Sequence, residues 1–73
     1  MSIPTLDLHQ TKHENASQKI YHFLFVNAPP VKIITGKSDK MRQIVFDCLA
    51  ELGLAAHDES WINFGCLVIL DAK

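Results

Sequence analysis

The segment from Ser38 to Gly53 has the most regular pattern in this chain of 73 residues. Ser38 or Asp39 is suited to cap the start of a helix, and Gly53 is suited to end one. Between them, apolar residues recur every three or four positions, the spacing of a buried helical face. These residues are Met41, Ile44, Val45, Cys48, Leu49 and Leu52. The sequence therefore predicts an amphipathic helix that must cover an apolar surface.

Short apolar segments on both sides of this helix predict strands. Residues 31–35, VKIIT, are β-branched and lie between Pro30 and Gly36. Residues 55–62 predict a further strand with less regular alternation, and residues 66–71, CLVILD, predict the last one. The turn between the last two strands is short, so we expect them to form an antiparallel hairpin.

The N-terminal part adds a strand and a helix. In residues 5–9, TLDLH, alternation places Leu6 and Leu8 on one face and Asp7 and His9 on the other. Thr11 and Glu14 fit a capping box at the start of the first helix. The prolines of NAPP at 27–30 end that helix.

This order predicts one α/β domain over residues 1–73. We expect a two-layer sandwich of order β-α-β-α-β-β, with two helices and a four-stranded mixed sheet, because strand–helix–strand units favour parallel pairing. The predicted core is Leu6, Leu8, Ala16, Ile20, Phe23, Leu24, Ile33, Val45, Cys48, Leu49, Leu52 and Val68.

The composition restricts the class of protein. A net charge of -1 argues against coating nucleic acid by bulk charge. No segment has the apolar run of a signal peptide, and none approaches the ~18 apolar residues of a membrane span. Cys48 and Cys66 are too few for a disulfide framework, so we expect both to be reduced and the protein to be cytoplasmic.

Asp7 and His9 are the first candidate site. On a strand, residues two positions apart share a face, so the carboxylate can fix the tautomer of an imidazole that moves a proton near neutral pH. The alternative is that both side chains line the solvent side of an amphipathic strand.

The segment TGKSDKMR, residues 35–42, is the second candidate. A glycine turn before a helix, with Lys37, Lys40 and Arg42 nearby, is suited to bind phosphate. A P-loop would need another glycine where Val31 stands, so we exclude that motif. The alternative is an ordinary capped turn with a solvated basic rim.

Two further features of the sequence are weaker indications of function. The histidines and cysteines lack the paired spacing of zinc ligands, so we predict no bound metal. Trp61 and Phe64, near the hairpin, can either stack single-stranded bases or close the core.

LDLH at 6–9, followed by a helix with Ala16, resembles the signature of the Smr (small MutS-related) family. The family's second strand usually ends in His-Gly-x-Gly before a helix with Leu-Arg. The corresponding positions here are Thr35 to Ser38, then Met41 and Arg42, and Gly65 matches a glycine before the last strand. The resemblance spans roughly residues 5–71.

Four positions depart from that pattern. Gln10 stands where the family has glycine, Asn15 where it has glutamate, Thr35 where it has histidine, and Ser38 where it has the second glycine. A threonine hydroxyl donates a hydrogen bond but does not move a proton near neutral pH. Phosphate binding can therefore persist where cleavage is weakened.

The resemblance implies a fold similar to the C-terminal domain of bacterial translation initiation factor three. It also implies nucleic-acid binding, with endonuclease cleavage of RNA or nicking of DNA. Asp7 and His9 become catalytic candidates, with Mg²⁺ or Mn²⁺ involved only if the substrate is DNA. The phosphate-binding candidates are Thr35, Gly36, Lys37, Ser38, Lys40 and Arg42.

Two other functions remain open. One is a non-catalytic module that binds RNA or a ribosomal surface, favoured by the missing histidine and glycines. The other is protein interaction: Ile34 faces away from Ile33, and CLVIL is apolar on both faces. A sheet covered by helices on one side only would leave this surface for a homodimer.

Overall fold

A computed structural model describes residues 3–59 and 65–71. The elements are β1 (Thr5–Asp7), α1 (His13–Val26), β2 (Val31–Ile34), α2 (Asp39–Leu52), β3 (Leu54–Asp58) and β4 (Cys66–Asp71). The predicted order and the two-layer arrangement of a mixed four-stranded sheet with two helices are confirmed.

The sheet has the strand order β1-β2-β4-β3. β1 pairs with β2 in parallel, and the predicted antiparallel hairpin of β3 and β4 is present. β4 also pairs antiparallel with β2, so it lies between β2 and β3. Parallel β1 and β2 both end at the same edge of the sheet, next to the starts of the two helices.

Both helices contribute to one core against one face of the sheet. Val31 and Ile33 of β2 face Ile69 and Leu67 of β4 in register, and all four side chains are fully buried. The intervening residues of these strands point to the opposite face, because side chains alternate along a strand. The buried cluster consists of Leu8, Ala16, Ile20, Val31, Ile33, Met41, Val45, Cys48, Leu49, Leu67 and Ile69.

The predicted core is correct for most positions and wrong for two. Leu6, Phe23 and Leu24 pack against the cluster while remaining partly exposed. Val68 points to the other face, since Leu67 and Ile69 are the inward residues of β4. Leu52 is the last residue of α2 and is 45% exposed.

The second helix is capped as predicted, and the first is not. The Ser38 hydroxyl accepts a hydrogen bond from the Met41 N–H, and Gly53 ends α2 in the left-handed conformation. The capping box of Thr11 and Glu14 is wrong, because α1 begins after Lys12 without a side-chain cap. The Thr11 N–H instead donates to the Leu8 carbonyl at 2.9 Å, which makes Thr11 part of the turn after β1.

The boundaries of two strands also differ from the prediction. β1 ends at Asp7, so His9 lies in the following turn rather than on the strand. β3 ends at Asp58, so Glu59 follows the strand instead of belonging to it. Residues 60–62 of the predicted strand, with Trp61, lie outside the described residues, as does Phe64. Neither described helix has the length and apolar character needed to cross a membrane.

Candidate functional site

Asp7 and His9 are in contact, but a turn joins them rather than a shared strand face. The imidazole Nδ1 of His9 lies 2.5 Å from Oδ1 of Asp7, and the backbone N–H of His9 donates to the same oxygen at 3.0 Å. A carboxylate that accepts the N–H two residues on forms an Asx turn. The turn fixes the position of the backbone, and the second bond fixes the ring.

This contact determines the electrostatics of the pair. The hydrogen bond from the His9 side chain, followed by that from its backbone, lowers the pKa of Asp7 below its ordinary value of 3.8. Asp7 is therefore ionised near neutral pH and accepts a hydrogen bond from Nδ1. A neutral imidazole with its proton on Nδ1 has an unprotonated Nε2. Both side chains are about half exposed, so the pair is accessible from solvent.

The glycine turn after β2 lies directly against His9. Gly36 has φ of +69°, and a Cβ placed on it would lie 3.3 Å from the His9 Cβ. The N–H groups of Thr35 and Gly36 both donate to the Gly65 carbonyl, at 2.7 and 3.2 Å. The turn is thus held between β4 and the Asx turn, and a side chain at residue 36 would crowd His9.

A groove of about 930 Å³ opens beside this turn. It extends from the end of β1 and β2 onto the sheet face opposite the helices. Its lining comprises Thr5, His9, Lys32, Ile34, Gly36, Lys37, Asp39, Arg42, Glu59, Gly65 and Cys66. The structure therefore brings His9, the glycine turn, Lys37 and Arg42 to one groove.

The charges in this groove are partly paired. Nη1 of Arg42 lies 2.7 Å from Oδ1 of Asp58, and Nζ of Lys32 lies 2.5 Å from Oε2 of Glu59. The contact with Glu59 raises the pKa of Lys32. Lys37 is exposed and has no hydrogen bond or ion pair within residues 3–59 and 65–71. Lys37 is thus the cation of this group best placed to bind a phosphate from solvent.

Three other predicted phosphate ligands do not line this groove. Thr35 is 2% exposed, and its hydroxyl bonds to the carbonyls of Gly36 and Gly65. Ser38 uses its hydroxyl oxygen to cap α2. Lys40 points to a separate, shallower groove that it shares with Lys12 and His13.

Sequence reasoning did not single out Asp58, Glu59 or Lys32 for this site. These residues come together only in the folded protein, where α2 packs against β3 and β4 joins β2 to β3. The ion pair between Arg42 and Asp58 crosses from α2 to the end of β3, and that between Lys32 and Glu59 crosses from β2 to the residue after β3. No local spacing in the chain predicts either contact.

Within the described ranges, no group of three or more histidine, cysteine, aspartate or glutamate residues is placed to hold a metal ion. Cys48 and Cys66 are both free thiols and are buried. Burial raises the pKa of Cys66, although that residue also lines the groove. The polar side chains of the site are thus the Asp7–His9 pair, three cations and the carboxylates of Asp39, Asp58 and Glu59.

Comparisons of the chain with protein-family models, with curated proteins and with solved structures found no match.

Proposed function

We propose that this protein is an Smr-like domain that binds a nucleic-acid backbone and cleaves it, with RNA as the preferred substrate. The observation that carries the proposal is the placement of the Asp7–His9 pair against the Gly36 turn, with His9 in the same groove as Lys37 and Arg42. An acid–base group beside cationic side chains is the minimum that phosphodiester cleavage needs.

In this proposal His9 is the general base. Asp7 accepts a hydrogen bond from Nδ1 and thereby leaves Nε2 free to accept a proton. Nε2 takes the proton of a ribose 2′-hydroxyl, and the 2′-oxygen attacks the adjacent phosphorus. The bond from phosphorus to the 5′-oxygen breaks, and that oxygen takes a proton from solvent. The products are a 2′,3′-cyclic phosphate and a 5′-hydroxyl, and His9 returns its proton to solvent.

Lys37 and Arg42 stabilise the charge that develops on the phosphoryl oxygens. Arg42 is held by Asp58 and lies over the Phe46 ring, 5.8 Å from its centroid, so its guanidinium has a fixed place at the groove. A preorganised cation stabilises a charged transition state with little reorganisation. Asp39 also lines the groove and opposes the binding of an anion, which makes the two cations necessary for affinity.

The test is incubation of the purified protein with labelled single-stranded RNA, duplex RNA and DNA, with and without Mg²⁺ and Mn²⁺. We expect cleavage of RNA without added cation and products that end in a 2′,3′-cyclic phosphate. On DNA the nucleophile must be water, and Asp7 would be the residue to hold a Mg²⁺ or Mn²⁺ ion that would activate it. Binding without cleavage under every condition would leave only the non-catalytic RNA-binding function.

The open face of the sheet favours a second candidate, association of two copies of this chain. Ile34 and Val68 lie on the face opposite the helices and are partly exposed, and Leu70 is 39% exposed. Apolar residues on a sheet face are buried when two such faces meet. Sedimentation at low and high salt tests this candidate, because apolar association persists at high salt and phosphate binding does not.

A further inference from the structure

Lys40 and Lys12 lie in a second groove, which His9 does not line. This groove has a volume of about 700 Å³ and is lined by Lys12, His13, Glu14, Ser17, Lys40 and Ile44. Its residues come from the beginnings of both helices. No part of the proposed cleavage step uses it.

The two grooves are immediate neighbours along the chain. Lys37 and Asp39 line the first groove, and Lys40, the next residue, lines the second. His13 Nε2 of the second groove lies 3.4 Å from the Ser38 hydroxyl oxygen, which belongs to the same turn. The beginning of α2 thus contributes residues to both grooves.

The charge of the second groove favours an anion. Two lysines and one imidazole face a single carboxylate, that of Glu14. Neither lysine has a side-chain hydrogen bond or ion pair within the described residues, and both are exposed. Each lysine ammonium has three N–H donors suited to phosphate oxygens.

We propose that this second groove binds a neighbouring phosphate of the same strand. The inference rests on the proposed function and specifies its substrate: an oligonucleotide that follows the protein surface across the start of α2. A ligand with a single phosphate occupies only the groove at His9. Lys12 and Lys40 therefore increase the affinity for oligonucleotides and not the affinity for a ligand with a single phosphate.

The experiment uses two probes: a fluorescein-labelled single-stranded RNA of ten nucleotides and a dinucleoside monophosphate. The variant Lys12→Ala/Lys40→Ala should weaken decamer binding by about tenfold at low salt. The slope of the logarithm of the binding constant against the logarithm of the salt concentration (the salt slope) should become shallower. The change should be roughly 0.7 for each phosphate of a single strand that the variant no longer neutralises. Binding of the dinucleoside monophosphate, followed by NMR shifts of His9, should match the parent. Lys19→Ala is the matched control, since Lys19 lines neither groove.

The outcomes separate this inference from the function on which it rests. Suppose that Lys37→Ala reduces the affinity for the decamer and Lys12→Ala/Lys40→Ala does not. This result would overturn the proposal of a second phosphate site and retain the site at His9. An equal loss of affinity with Lys19→Ala would also overturn it, because any surface charge would then suffice. Failure of the parent to bind any nucleic acid would instead overturn the proposed function itself.

Discussion

Asp7 holds His9 through two hydrogen bonds to one carboxylate oxygen, one from the backbone N–H and one from the ring. The first bond belongs to the turn and does not require a histidine. The second bond selects the imidazole tautomer. This separation allows the structural and chemical roles of the pair to be tested individually.

His9→Ala should lower the rate of RNA cleavage by about 10²–10⁴-fold, because it removes the general base. Asp7→Asn should also slow cleavage, since the imidazole loses its orienting charge. His13→Ala is the control: His13 lies outside the groove that contains His9, so at saturating RNA its variant should cleave at the parental rate. Gel analysis of labelled RNA gives the rates, and circular dichroism checks folding. Equal cleavage by His9→Ala and parent would assign the activity to other residues.

The Asp7 carboxyl should titrate with a pKa below 3.8 in the folded protein, and NMR of its carboxyl carbon measures this directly. A depressed folded pKa stabilises the protein above the unfolded pKa, and this contribution disappears as the pH falls through the folded value. In His9→Ala the ring bond is absent and the backbone bond remains. The pKa of Asp7 should therefore rise toward 3.8 without reaching it. A titration of Asp7 that is identical in both proteins would show that the ring bond is not formed in solution.

Lys37→Ala/Arg42→Ala should weaken binding to every nucleic-acid sequence alike. The salt slope should flatten by about 0.7 for each phosphate of a single strand that is no longer neutralised, and by about 0.9 for each phosphate of duplex DNA. Arg42 also pairs with Asp58, so Lys37→Ala alone is measured beside the double variant. Fluorescence anisotropy over a range of salt concentrations gives the slopes. A double variant with the parental affinity would place the phosphate elsewhere.

The sequence predicted the order of elements because each element carries a local signal. Apolar spacing identifies α2, prolines bound α1, and Gly53 adopts the left-handed conformation expected of a helix stop. The site is less predictable than the order of elements. The sequence predicts that Asp7 and His9 meet on a strand face, whereas in the structure an Asx turn brings them together.

Contacts made across the sheet could not be predicted. The burial of Thr35 depends on carbonyls of Gly36 and of Gly65, which lies 30 positions away. The orientation of Lys40 away from Lys37 depends on where α2 begins, and a difference of one residue rotates a side chain by roughly 100° around a helix. Spacing along the chain treats these two lysines as equivalent, whereas the folded protein places them in different grooves.

Leu49→Ala should reduce the free energy of unfolding by about 2–5 kcal/mol, because a buried side chain is removed and a cavity remains. Leu49 is 1% exposed, and Leu52, three positions later in the same helix, is 45% exposed. Leu52→Ala is therefore the matched control and should cost less than half as much. Urea unfolding of both variants gives the comparison. Equal reductions in stability would contradict the position of Leu52 outside the core.

Gly36→Ala and Gly53→Ala test whether the glycine turn positions His9. The two glycines have nearly equal φ, +69° and +70°, so both substitutions impose the same left-handed strain of about 1–2 kcal/mol. A Cβ at residue 36 would also lie 3.3 Å from the His9 Cβ, whereas one at residue 53 would meet nothing within 4 Å. The backbone strain alone would therefore reduce the stability of the two variants equally. The contact with His9 is the feature that distinguishes Gly36→Ala from Gly53→Ala.

The activities of these two variants should differ. Displacing a catalytic group by about 1 Å costs as much as 10²-fold in rate. A Cβ at residue 36, 3.3 Å from the His9 Cβ, requires a smaller displacement of His9. We therefore expect a decrease of RNA cleavage below that limit in Gly36→Ala and a parental rate in Gly53→Ala, measured at a temperature where both are folded. NMR shifts of the His9 ring should change only in Gly36→Ala. Parental cleavage by Gly36→Ala would show that the contact between the turn and His9 has no part in positioning the base.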